Sequence, residues 1–443
     1  MPRDMFVIAL DQFNLDTMQQ LREAHRYEFR ALLPRDQVLK AETYDFDQLV
    51  ADADAQLRAH DGPVDGIVTW WDFPSSALVP ALTELWDLYG PSLQSVLSLE
   101  HKYWSRLVQR AVAAEHVPPY AVLDPFDDGA LSAIQDQGLD FPFWLKPVKS
   151  VGSYLGFRIE SAEEFAEALA TIRENIGEFG APFAQALDRV DLPPDIAVLG
   201  AQACIAEGII GGRQCTLEGY VSFGETTTYG VIDSHREPGS STFRGYQYPS
   251  SLPTPIQRRM AQIADDVIRQ SGLDHACFNI EFFYDQEAGQ LWLLEVNTRL
   301  SQSHCDLFAK VDGASSQRAM LDVALGRQPR MPYRQGEFAV AGKFFLRAFE
   351  DGLVRSVPSE DDIAAVIDRF PGTRIEIDLT PGTHLSDLKV QESYSFELGR
   401  VYLGADDTEQ LDERFDQIRD MLPFDIDTSV PAEEGSSSES DDT

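Results

Sequence analysis

Residues 277–300 read CFNIEFFYDQEAGQLWLLEVNTRL, and this stretch decides the fold. Two apolar, aromatic-rich runs flank Glu287-Ala288-Gly289, so the segment reads as a β-hairpin. A three-residue hairpin loop wants its last residue in the left-handed region, which suits Gly289. With that loop Gln286 stands opposite Gln290, and Glu281 opposite Glu295. Side chains alternate faces along a strand, so Asn297 shares the face of Glu295, and Arg299 continues it. Like charges directly opposite each other destabilise a sheet. A hard divalent cation between them removes that penalty, because Mg²⁺ (or Mn²⁺) takes a few carboxylate oxygens and keeps other positions for water and phosphate. Glu281, Glu295 and Asn297 are therefore the candidate metal ligands, and Arg299 could reach a phosphate. The plainer alternative is the exposed polar face of an ordinary hairpin.

Working outward, three further segments carry chemistry. Lys146-Pro-Val-Lys-Ser-Val-Gly-Ser-Tyr-Leu-Gly156 places a loop rich in small residues between two strand patterns. Ser150, Gly152, Ser153 and Gly156 would let backbone N–H groups close over phosphate oxygens, with Lys146 as a point charge. Read alone, a flexible hairpin turn is the better reading. At Glu207-Gly-Ile-Ile-Gly-Gly-Arg-Gln214 a strand edge leaves a segment that could hydrogen-bond an adenine edge, with Gln214 in reach of a ribose hydroxyl. Lys102 lies in an amphipathic helical pattern that Ser98 would cap and that ends before Pro118-Pro119.

Strand patterns at 5–10, 27–33 and 66–70 alternate with helical ones, which implies a small parallel sheet and an α/β domain over residues 1–97. Ser161-Ala-Glu-Glu164 forms a capping box that opens a helix to about residue 176. Strand patterns dominate 201–232, and helices are expected over 256–270 and 315–325. Residues 234–255 hold many Ser, Gly and Pro without a period, so a long functional loop is expected there. Its His235, Arg236, Glu237 and Arg244, together with His304 beyond the hairpin, are the candidate substrate contacts. Residues 327–334 read as a linker and 335–425 as an α+β domain. The tail over 426–443 is Ser-, Glu- and Asp-rich and is expected to be disordered.

The 443 residues carry 73 acids against 36 Lys plus Arg, a formal charge of −37. Only six of those acids lie beyond Ile426, so the acidity belongs to the folded body. Such a surface repels nucleic-acid phosphates and anionic membranes. Only seven bases are Lys, and an acidic, Arg-rich, Lys-poor chain reads as halophile-like, kept soluble in a salty cytoplasm. The four cysteines make no CxxC pair and read as reduced, buried thiols of a cytoplasmic protein. No stretch approaches the roughly 20 apolar residues of a membrane span.

These four signals, in this order and at these separations, resemble the ATP-grasp superfamily over residues 98–326. The resemblance implies an α/β and α+β multidomain protein. An ATP-grasp fold of two subdomains, broken near residue 206, would follow a Rossmann-like N-terminal α/β domain and precede a C-terminal α+β domain. It implies that Glu281, Glu295 and Asn297 hold Mg²⁺, that Arg299 contacts the transferring phosphoryl group, and that Lys102 and Lys146 contact ATP phosphates. Residues 150–156 match the loop that closes over them, Glu207 the start of the adenine hinge, and Gln214 the ribose position. Thr298 stands where the family usually has Pro, and Gln214 where Glu is common. The C-terminal segments AVAGKFFLRAF, RIEIDLTPGTHL and GRVYLGADDTEQLDERF resemble carboxylate–amine ligases of the L-amino-acid (dipeptide) type. That implies a ligase joining a small-molecule carboxylate to an amine through an acyl phosphate, with a homodimer common among similar proteins. A biotin-carboxylase-like enzyme and a non-catalytic ATP sensor are the competing readings.

Overall fold

The computed structural model describes residues 2–39, 43–152, 154–237, 242–388 and 395–429. The chain forms two compact units: one of residues 1–232, 250–305 and 314–331, the other of 233–249, 306–313 and 332–443. These cut the chain differently from the expected division, because residues 1–97 and most of 98–326 share the first unit.

The first unit begins with a parallel three-stranded sheet in the order Tyr27–Leu32, Arg3–Ile8, Gly66–Val68. Its central strand is buried on both faces, as parallel strands are. Phe6 and Ile8 join one apolar cluster while Met5 and Val7 join another. An antiparallel sheet follows in the order Tyr120–Leu123, Cys204–Gly208, Phe143–Pro147, Phe157–Ile159. Helix Ala162–Asn175 packs its apolar face there through Phe165, Leu169 and Ile172. Ser161 caps it by accepting from the Glu164 N–H at 3.2 Å. A second sheet in the unit runs Gln290–Asn297, Ala276–Asp285, Arg213–Ser222 and then Glu225–Arg236 up to residue 232.

The helix expected to start at Ser98 is two helices, Leu93–Glu100 and Lys102–Ala113. Ser98 lies inside the first and donates to the Ser95 carbonyl at 2.8 Å. The break comes at His101, whose extended backbone (ψ 104°) ends one helix and whose Nδ1 accepts from the Trp104 N–H at 3.2 Å to start the next. His101 can cap because burial pushes its pKa down to about 4, which keeps the ring neutral.

In the second unit, the expected long loop contains a strand. Phe243–Tyr248 pairs antiparallel with the end of Glu225–Arg236 and with Val340–Ala348. Phe396–Ala405 and Arg374–Ile377 continue that sheet. Glycine hid the strand: Gly245 contributes no apolar signal, yet a Cβ there would run into the Lys343 carbonyl oxygen and the Phe344 ring. Helix Thr408–Met421 covers the unit's core, where Phe344 and Phe415 stack 4.4 Å apart. The tail boundary also shifts, because Asp425–Asp427 pairs with Leu353–Ser356. Residues 430–443 of the expected disordered tail lie outside the described residues. No described helix is long and apolar enough to cross a membrane.

Gly245→Ala should therefore cost about 1–3 kcal/mol, the usual range for overpacking. Urea unfolding of the variant checks this, and an unchanged midpoint would mean the two strands do not approach as closely as described.

Candidate functional site

Glu281 stands opposite Glu295 as expected, but the hairpin reaches that register by another route. Asp285, not Gln286, faces Gln290, and its carboxylate accepts from the N–H groups of Glu287 and Ala288 at 2.9 and 3.0 Å. This adds a residue to the loop, which Gly289 closes at φ +66°. A β-bulge then restores the pairing: Phe282 faces Leu293 while Glu281 faces Glu295, so Leu294 is the extra residue. Asn297 faces Asn279 and donates to its side-chain oxygen at 2.9 Å, so the oxygen of Asn297 is the atom a cation would take.

The two opposed glutamates have been driven apart in acidity. Burial, and then the charge of Glu295, push the Glu281 carboxyl up to about 7. Glu295 goes the other way: burial opposes its charge, but Lys102 and Lys146 overcome that and hold it below the ordinary carboxylate range. Lys102 Nζ lies 3.2 Å from Glu295 Oε1. Among the described residues no cluster of three or more His, Cys, Asp or Glu side chains could hold a metal, so this site offers two carboxylates and an amide. That donor set fits Mg²⁺, which binds one or two carboxylates and fills its remaining positions with water and phosphate oxygens.

Beside the hairpin, Lys102, Arg106, Lys146, Glu207, Leu294 and Glu295 line one small cavity. Glu207 is buried and takes two cations, Arg106 Nε at 2.5 Å and Lys146 Nζ at 2.6 Å. Burial alone would raise its pKa; Arg106 and then Lys146 bring it down to about 2. The Glu207 side chain thus anchors Lys146, while its backbone lies in the strand Cys204–Gly208. Gln214 is also committed within the protein, donating to Glu281 Oε2 at 3.0 Å. In the small-residue loop, Lys102 Nζ donates to the Ser150 carbonyl at 3.1 Å, and Gly152 takes φ +57° with open space around it. Gly156 precedes the strand Phe157–Ile159, and Ser153 lies outside the described residues.

Arg299 does not point at an empty corner: Asp72 grips it with both oxygens, at 2.7 and 2.9 Å. His304 is buried, with Nδ1 2.8 Å from Glu218 Oε1, so it supports the segment after the hairpin. His235, Arg236, Glu237 and Arg244 belong to the second unit. Arg236 lies over the Phe243 ring. Arg244 sits at a bulge, pairs with Asp412 at 2.8 Å and lies over the Phe344 and Phe415 rings, so its guanidinium is already engaged within the protein.

Asp72, Arg106 and the pair Lys149–Glu100 (2.6 Å) escaped the sequence reading. Arg106 follows Lys102 by four residues, which puts both on one helix face and could have been noticed. Asp72 follows the strand Gly66–Val68, at the carboxyl edge where parallel sheets place ligands, but nothing in the sequence ties it to Arg299.

The raised Glu281 pKa has a sign that can be tested. Its ordinary value is 4.5 and its folded value about 7, so between them the folded state holds the extra proton. The metal-free protein should lose stability as pH rises through that window. Urea midpoints for wild type and Glu281→Gln at pH 5 and 7.5 check this: the variant's decline should be shallower, and Mg²⁺ at pH 7.5 should restore the wild type selectively. Parallel curves would reject it.

Residues 139–306 match the family model of the ATP-grasp domain. No curated protein matches the chain. Among solved structures, L-amino acid ligase from Bacillus licheniformis superposes with a TM-score of 0.69 at 14% identity, covering 96% of this chain and 98% of that one. Phosphoribosylglycinamide synthetase from Anaerococcus prevotii gives 0.62 at 11% identity, covering 96% and 100%. The biotin carboxylase domain dimer of 2-oxoglutarate carboxylase from Hydrogenobacter thermophilus, solved with MgADP, ADP and bicarbonate, gives 0.62 at 14% identity, covering 96% and 91%. At such identities the likeness is one of fold, and the family match shows an ATP-grasp domain over residues 139–306 of this chain.

Proposed function

We propose that this protein is an ATP-dependent carboxylate–amine ligase that forms an amide and releases ADP and phosphate. The observation that carries the reading is the opposed pair Glu281–Glu295 with Lys102 bound to Glu295. A sheet tolerates that opposition when a cation is part of its working state. The likeness in fold to an L-amino acid ligase along nearly the whole of both chains favours amino-acid-like substrates.

In this reading Glu281, Glu295 and Asn297 would hold Mg²⁺, which would offset negative charge on the transferring group. Lys102 and Lys146 hold the phosphate oxygens, and residues 150–156 cover them. Glu207 keeps Lys146 aimed through its ion pair at 2.6 Å. A substrate carboxylate oxygen attacks the terminal phosphorus, the bond to the ADP oxygen breaks, and an acyl phosphate forms. Arg299 stabilises the negative charge that develops there, in a site drained of water. The amine nitrogen then attacks the acyl carbon, phosphate leaves with the bonding pair, and the nitrogen gives up a proton. Substrate selection is assigned first to His235, Arg236 and Glu237. The reaction needs no nucleophilic Ser or Cys, only positioning and charge neutralisation. The enzyme is taken to work in the cytoplasm on small molecules.

The test is ADP release with Mg²⁺ and ATP in high-salt buffer, across amino acids singly and in pairs, with bicarbonate as a separate arm. ADP formed only with a particular pair is the expected result. ADP formed with bicarbonate and no amine would replace the ligase by a carboxylase. Glu295→Ala should bring ADP release to background. Lys146→Met should raise the KM for ATP about tenfold to a hundredfold, the value of a hydrogen bond to a charged group. Turnover retained by the Glu295 variant would remove the mechanism.

A further inference from the structure

One buried side chain joins the two halves of the nucleotide site. Arg106 is 3% exposed and spends its guanidinium on four acceptors. Nε donates to Glu207 Oε1 at 2.5 Å, and one terminal nitrogen donates to Gln109 Oε1 at 2.6 Å and the Leu293 carbonyl at 3.1 Å. The other terminal nitrogen donates to the Leu294 carbonyl at 2.8 Å. Leu294 is the bulge residue that brings Glu295 opposite Glu281. A bulge leaves backbone groups outside the regular ladder, and buried carbonyls need a donor. Arg106 supplies it with a rigid planar fork, which a lysine cannot reproduce. Through Glu207 the same fork reaches Lys146, whose Nζ lies 2.6 Å from the second carboxylate oxygen.

We infer that Arg106 is a positioning residue that locks the bulge at Leu294 and thereby fixes Glu295 as a metal ligand, linking the metal hairpin to the lysine that holds phosphate. This rests on the proposed assignment of Glu281, Glu295 and Asn297 to the metal. Loss of the fork lets the bulge relax, so the carboxylate pair no longer presents its oxygens at one spacing. Metal affinity then falls while Lys102 and Lys146, still in the cavity, continue to take nucleotide.

Arg106→Lys tests it, because the charge beside Glu207 is kept and the fork is lost. Two quantities are read on the full chain: Mn²⁺ binding by electron paramagnetic resonance with a non-hydrolysable ATP analogue present, and binding of that analogue in metal-free buffer. Mn²⁺ affinity should fall about tenfold or more, the scale of losses when a ligand's supporting contact is removed. Metal-free nucleotide binding should stay within about twofold. Gln109→Met removes a contact of the same guanidinium that does not reach the hairpin and should leave both quantities unchanged. Unchanged Mn²⁺ affinity in Arg106→Lys, equal loss of both quantities, or the same loss in Gln109→Met would each overturn the inference. If Arg106→Lys does not fold, Leu294→Gly decides: Gly keeps the carbonyl that Arg106 holds but loosens the bulge backbone, and the same selective loss of Mn²⁺ is expected, with unchanged Mn²⁺ affinity overturning the inference. Wild-type protein that binds Mn²⁺ and the analogue but forms no ADP with any substrate pair would remove the ligase reading and leave this inference standing.

Discussion

The structure turns on two like charges held face to face, Glu281 and Glu295 on adjacent strands. Left alone they would splay the hairpin or take up a proton, and burial beside Glu295 pushes the Glu281 carboxyl up to about 7. Around that tension the chain gathers cations: Lys102 on Glu295, Arg106 and Lys146 on Glu207, Lys149 on Glu100. Three of only seven lysines fall within residues 102–149. In a protein of charge −37, these residues gather a share of its few lysines into one place, each against a carboxylate.

The charges are useful because they stand on stiff supports. The hairpin lies beside the strand Arg213–Ser222, and the lysines come from one helix start and one strand end. Residues 150–152 and 154–156 are the exception, lying between the strands Phe143–Pro147 and Phe157–Ile159. Each acidic partner acts locally. Glu207 holds Lys146, Asp72 holds Arg299, and Glu218 holds His304 together with the Tyr229 hydroxyl.

The sequence was most readable where one rule governed. Alternation and a glycine turn gave the hairpin, and the pairing of Glu281 with Glu295 followed, although the loop is longer and the bulge at Leu294 makes up the difference. Bulges leave no periodic trace, so the right pairing came with the wrong turn. The strand Phe243–Tyr248 was missed because Gly245 and its Ser- and Pro-rich surroundings mimic a loop. Long-range pairs were the least readable. Asp72 and Arg299 lie 227 residues apart, and no local pattern announces such a contact.

The break at His101 has a cost that a stability screen would misread. It makes Lys102 the first residue of its helix, where the backbone dipoles already present positive charge. Lysine is a poor choice for that pole, and neutralising it would gain on the order of 0.3–1 kcal/mol in the helix alone. Directed selection for thermal tolerance would drift toward removing it. A lysine stands there nonetheless, paired with Glu295, so two sources of positive potential are stacked at one corner and the helix gives up stability to keep them there.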